Sequence, residues 1–174
     1  REAIRKLEKE GLVSIEPRRG AYASDISIKD MVDVLEVREF LEGMAAGLAA
    51  KKINDEEIET LKKATATYKK AVENGHTEEI IKEDELFHKL IVDCSGNKTL
   101  IQMINQVQEL ALRFRYIYYE DFSRYRNMPY EHQEILDAIL SGDTEAARSI
   151  ADAPVLRLKE FVIEQGERIA KGSV

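Results

Sequence analysis

Asp84 and His88 stand four residues apart in EDELFHKLI, so on a helix both side chains leave the same face one turn apart. His132 opens a second periodic stretch, EHQEILDAIL. The chain has only three His, and two of them sit at apolar-flanked helical positions where a solvated surface would carry Lys or Glu. A carboxylate and two imidazoles converging inside a helical bundle form a site for a divalent metal such as zinc, nickel or manganese. The same spacing also fits a satisfied core Asp–His pair with His132 elsewhere.

Arg38 lies between Leu35 and Leu41 on an otherwise apolar face. A guanidinium there must pair or bind an anion, because a lone buried charge is costly. It reads either as an internal salt bridge to a Glu of the bundle or as a bidentate clamp on a carboxylate ligand. The segment RFRYIYYEDFSRY packs six of the chain's twelve aromatics beside Arg113, Arg115 and Arg124. Such a cluster can stack bases, but acidic surroundings and helical spacing favour a bundle helix whose aromatics fill the core and wall a cavity, with Arg113 facing that cavity. His76 follows Asn74-Gly75 and reads as surface. Cys94 reads as a small buried apolar side chain.

These residues need helices to position them. Residues 1–10 carry Ala3, Ile4 and Leu7 at helical spacing and stop at Gly11. LVSIEP alternates as a short half-buried strand does, PRRG turns, and AYAS returns, giving a two-stranded wing behind a helix. After a short linker everything is helical. Ser27 with Asp30 resembles a capping box. Asn54 or Asp55, Thr77, Asn97 and Asp143 start later helices, and Asn74-Gly75, Ser95-Gly96 and Ser141-Gly142 end three of them. Pro154 falls inside the last pattern and should kink it or break it in two. The expected fold is all-α: an antiparallel bundle of six to seven helices over residues 25–174, preceded by part of a winged module over residues 1–24.

Nine Gly and three Pro leave few breakers, and 44% apolar with 34% charged residues describes an ordinary globular protein. A single Cys excludes an internal disulfide and fits a reducing cytoplasm. No signal-peptide pattern and no apolar run of bilayer length is found, so no membrane partner is expected. Because REAIRKLEKEG opens in mid-helix, the chain reads as a fragment of a longer protein. Its net charge of −7 is uneven. Residues 1–24 sum to +2 and the remainder to −9. A basic head on an acidic body suggests two jobs, the head suited to a polyanion and the body repelling one.

REAIRKLEKEGLV followed by PRRGAY resembles the second half of the winged helix-turn-helix of GntR-type transcription regulators. VREFLEGMAAGLAA, EDELFHKLIVDCSGNKTL and EHQEILDAILSGDTEAA resemble the all-helical effector domain of their FadR branch, the FCD domain. Together these segments span nearly the whole chain. The resemblance implies a DNA-binding homodimer on a palindromic operator that responds to a small carboxylate metabolite. It also implies a metal site, whose Asp-x-x-x-His matches Asp84 and His88 and whose next His matches His132. The family's further His falls on Pro154, which has no ligand atom. Three ligands plus water or the effector's own carboxylate remain. The match to V-R-x-x-L-E favours the effector role for Arg38. Arg1, Arg18, Arg19 and Gly20 become the DNA candidates, since a winged helix sets a recognition helix in the major groove and a wing along the minor groove. Two other classes compete. A metal-dependent hydrolase would use water bound at Asp84, His88 and His132, but no separate general base shares their face, Glu83 and Glu85 being expected to point away. A purely structural bundle has no use for the winged head, and neither has the hydrolase.

Overall fold

Local signals set most element boundaries, and apolar faces decide how the elements stack. The computed structural model describes residues 2–9, 11–24, 27–118 and 128–170. Helix α1 (Glu2–Lys9) leads into the antiparallel hairpin of β1 (Val13–Glu16) and β2 (Gly20–Ala23), with Val13 opposite Ala23 and Glu16 opposite Gly20. The tight turn uses Arg18 at φ 66° and Gly20 at φ 124°, a region where a side chain is strained. The strand expected from LVSIEP forms as β1, but it is not half-buried. Val13 is partly covered, but Ile15 and Tyr22 are exposed, as are Ile4 and Leu7 of α1. Ile4, Leu7, Ile15 and Tyr22 keep 37–49% of their surface exposed.

The body consists of α2 (Ile28–Lys52), α3 (Asp55–Asn74), α4 (Thr77–Cys94), α5 (Lys98–Tyr118), α6 (Met128–Leu140) and α7 (Thr144–Ala170). Ser27 and Asp30 complete the expected capping box of α2, and Asn54 with Glu57 forms another at α3. Gly75 closes α3 in the left-handed conformation, with its N–H donating to the Ala71 and Val72 carbonyls. Asn97 caps α5 through the Leu100 N–H, and Asp143 caps α7 through the Glu145 and Ala146 N–H groups. At α4 the capping position belongs to His76, which makes no side-chain cap bond; Thr77 is already the first helical residue.

Helix α2 is the spine. It runs along α7 for much of its length and also meets α4, α5 and α6, while α3 packs on α4 and α6. The main core joins Ala46, Ala49, Leu61, Phe87, Ile135, Ile139 and Ala147. A second cluster binds Met31 and Leu35 to Val155 and Val162. That packing explains α7, which continues through Pro154 as one helix and does not break there. The missing N–H costs about 3 kcal/mol, and burial of α7 against α2 on both sides of Pro154 offsets it. No helix among the described residues is long and apolar enough to cross a membrane.

The close approach of α2 to α7 depends on glycine. A Cβ on Gly47 would lie 3.0 Å from the Thr144 carbonyl oxygen and 3.2 Å from its side chain, and one on Gly43 would collide with the Asp152 carboxylate. A β-branched side chain at Gly47 meets backbone that cannot swing aside. Gly47→Val is expected to lower the urea midpoint by the equivalent of about 1–3 kcal/mol, and an unchanged midpoint would show that the two helices separate freely.

Candidate metal and effector site

Helix α4 brings Asp84 and His88 to one face by their four-residue spacing, and α6 delivers His132 from across the core. Asp84 and His132 are each 1% exposed and His88 is 7% exposed. One ligating atom from each lies within 4.8 Å of the others. His132 Nε2 is 3.2 Å from Asp84 Oδ1, and His88 Nε2 is 3.7 Å from the same oxygen. The His132 ring is clamped between aromatics, with Phe87 stacked at 4.1 Å and Tyr68 tilted over it at 4.1 Å. Neither ring nitrogen of His132 makes a hydrogen bond among the described residues. A buried imidazole whose Nδ1 has no hydrogen bond, and whose Nε2 approaches Asp84 without one, costs free energy in a core pair. The same nitrogen and oxygen donors, converging on one point, suit a borderline divalent cation. Burial pushes the His88 imidazole down to about 4, against the opposing pull of Glu42 and Asp84, so the ring is neutral at pH 7 and able to ligate.

Arg38 makes the internal salt bridge, one of its two readings from sequence. It is 4% exposed, and its Nε donates to Glu42 Oε1 at 2.5 Å, one turn along α2. It also lines a cavity of about 310 Å³ together with His88. Lys82, Glu85, Leu86 and Lys89 of α4 form one wall, and Gln108 and Ala111 of α5 the other. Arg38, Lys82 and Lys89 line it against Glu85, and each already faces a carboxylate: Arg38 faces Glu42 and Lys89 faces Asp93, both at 2.5 Å, and Lys82 faces Glu83 at 3.9 Å. An anion there would share these cations with those partners. His132 sits behind His88 and does not line it. Glu85, expected to point away from the metal cluster, is not among its donors and lines the cavity instead, because α4 shows its cluster to the core and its next face to the cavity. Lys82, Glu85, Leu86 and Lys89 recur at i, i+3, i+4 and i+7, a signal that could have marked this wall. Tyr68 and Phe87 gave no sign beyond ordinary core spacing.

Other candidates fall elsewhere. Arg113 lies on α5, but its side chain is outside the described residues, as are Arg1 and residues 119–125 of the aromatic segment. Arg18, Arg19 and Gly20 form the exposed hairpin tip, with Arg19 held to Glu16 at 3.1 Å. His76 is exposed. Cys94 is buried, and burial pushes its thiol up to about 11.

Asp152 of α7 packs on Gly43 behind this cluster, and its Oδ1 is buried with no hydrogen bond among the described residues. Burial, then the Glu39 carboxylate, hold its carboxyl above the usual carboxylate range; Arg148 opposes them and Glu42 adds to them. A folded-state pKa above the unfolded one means that the folded chain binds the proton more readily. Stability is therefore lost as pH rises through that window. Asp152→Asn is expected to raise Tm at neutral pH, with the gain shrinking toward about pH 4, where the unfolded carboxyl also takes its proton. A lower Tm at neutral pH would instead assign Asp152 a stabilising pair with Arg148.

Fold and site together define a helical bundle with a buried three-ligand centre beside a cavity bordered by Arg38, Lys82 and Lys89. The FCD domain family matches residues 33–154. The HTH-type transcriptional regulator YdhC of Bacillus subtilis is 32% identical over 149 residues, covering 85% of this chain and 66% of YdhC. The HTH-type transcriptional repressor RspR of Escherichia coli is 24% identical over 162 residues, covering 93% of this chain and 71% of RspR. Among solved structures, E. coli McbR/YncC has a TM-score of 0.83 at 21% identity, covering 94% of this chain and 83% of that one, a likeness of fold. The chain therefore belongs to the FCD family of GntR-type transcriptional regulators, and these relatives are regulators and not enzymes. It spans about two thirds of the length of YdhC.

Proposed function

We propose that residues 25–174 are the effector-binding and dimerisation domain of a cytoplasmic, metabolite-responsive transcription regulator, and residues 1–24 the end of its winged DNA-binding domain. Asp84, His88 and His132 hold a divalent cation, with zinc, nickel and manganese all compatible with two imidazoles and a carboxylate. A small carboxylate occupies the adjoining cavity, met by Arg38 and, on α5, by Arg113. The longer whole protein binds its operator through the recognition helix at Arg1 and the hairpin tip at Arg18, Arg19 and Gly20. The observation that carries this reading is His88, which belongs both to the buried donor cluster and to the wall of the cavity. A ligand in that cavity would touch the His88 ring, one of the three groups that would hold the cation.

Pairing has its own support. Val37, Phe40 and Met44 recur at i, i+3 and i+7 on α2 and are 47%, 64% and 48% exposed. Such a stripe suits a two-fold interface. Sedimentation should show a dimer at concentrations of roughly tens of micromolar, a range in which even a weak interface forms.

The test of the sensing role is thermal. Zinc, nickel or manganese, followed by a di- or tricarboxylate such as citrate, should each raise Tm, because a ligand that binds only the folded chain stabilises it. A panel of esters and amides with added zinc should show no turnover. No shift with any metal or carboxylate would defeat the proposal, and turnover would favour a metal-dependent hydrolase.

A further inference from the structure

Glu42 belongs to α2 and is 4% exposed, yet the metal and effector roles assigned above leave it without a task. Its two oxygens face two different groups. Oε1 accepts from Arg38 Nε at 2.5 Å, and Oε2 lies 3.5 Å from His88 Nδ1. On the other side of the same imidazole, Nε2 looks toward Asp84 Oδ1 at 3.7 Å. We infer that Glu42 is a positioning residue that joins the cavity wall to the donor cluster: it holds the His88 ring by Nδ1 so that Nε2 is offered to the cation, and Arg38 holds Glu42 in place.

The chemistry follows from the single N–H of a neutral imidazole. Both nitrogens face a carboxylate, but Glu42 Oε2 is the nearer at 3.5 Å, while Asp84 Oδ1 lies 3.7 Å from Nε2 and is drawn to His132 at 3.2 Å, which favours the proton on Nδ1 and leaves the lone pair on Nε2. Partners of this kind orient a ligating His and raise its basicity, and their loss typically lowers metal affinity by about 10–100-fold. The Arg38 pairing keeps Glu42 from swinging into the cluster as a ligand of its own. It also means that an anion drawn to Arg38 acts on the chain of contacts that ends at His88. Effector and cation affinities should then be linked, and each should alter the other by the same factor.

This inference rests on the metal reading above, but its first readout needs no metal. In the metal-free protein at pH 7, nitrogen-15 shifts of the His88 imidazole should report the Nδ1–H tautomer. The Nε2–H tautomer would overturn the inference, whatever becomes of the variants. In Glu42→Leu that preference should vanish and nickel affinity by calorimetry should fall about 10–100-fold. Glu42→Gln, which keeps a carbonyl acceptor, should restore most of both. Equal affinity and an unchanged tautomer in Glu42→Leu would also overturn it. If the parent protein binds no nickel, zinc or manganese, the metal reading fails, while the His88 tautomer still decides whether Glu42 holds the ring.

Discussion

His88→Ala is expected to abolish measurable binding of zinc or nickel, while His76→Ala leaves it intact. His88 supplies one of three donors in a cluster to which Pro154 adds none. Its loss leaves Asp84 and His132 alone, two ligands where even an open catalytic site keeps three. The drop should exceed the roughly 10–100-fold that an outer partner is worth. His76 sits exposed at the start of α4, far from the cluster in function as well as in environment. Calorimetry on both variants decides the matter. Equal affinities would mean that the metal sits elsewhere, and the arrangement of Asp84, His88 and His132 would then be a packed polar core.

Arg38→Ala should cost both fold stability and effector affinity. The side chain is 5% exposed and its partner carboxylate 4% exposed, so truncation takes the guanidinium away from a buried Glu42 carboxylate. Removing one member of a buried pair destabilises by about 3–5 kcal/mol. Arg38→Lys separates the two effects. It keeps a cation facing Glu42 and should fold, but a lysine lacks the planar fork that grips a carboxylate with two bonds. Citrate should bind Arg38→Lys at least about tenfold more weakly, the lower end of what a lost charge-assisted pair costs. Metal affinity without citrate should stay within a few-fold. An unchanged urea midpoint in Arg38→Ala would remove the structural role, and parent-like citrate binding by Arg38→Lys would remove the clamp.

The parts of this molecule that were legible in the sequence are those with local causes. Ser27, Asn54, Asn97 and Asp143 cap their helices through bonds spanning two or three residues, so spacing alone reveals them. Asp84 and His88 share a face for the same reason. The convergence of His132 on that face is a tertiary event, which spacing offered only as one of two alternatives and which resemblance to a family favoured. Arg38 was recognisable as a charge needing a partner, and its partner stood one turn away at Glu42. Nothing local said that the same guanidinium would also border a cavity. Glu85 shows the limit of single-helix geometry: a side chain directed away from one site can face another when the helix divides two compartments. Pro154 shows tertiary packing overriding local propensity, since the apolar clusters along α2 keep α7 continuous through a residue that ends helices elsewhere. The hairpin strands failed as half-buried elements because alternation predicts burial only where something lies against the face.

The aromatic clamp on His132 gives this protein a built-in reporter. Phe87 lies nearly parallel to the imidazole, at 18° between planes, so the carbon-bound protons of His132 fall within its shielding cone. Their resonances should move upfield. His88 meets Phe87 edge-on, at 77° and 5.5 Å, and its protons should feel little or opposite ring-current displacement. His76 is exposed and should resonate near the position of a free peptide. With three His in the chain, each with two carbon-bound ring protons, the imidazole lines of a proton spectrum divide into one pair from the core, one from the cavity wall and one from the surface. A cation entering the cluster would broaden or shift the first two and spare the third, and an anion confined to the cavity would act first on the second. Occupancy of each compartment can thus be followed in the unaltered protein, without a label and without a single substitution.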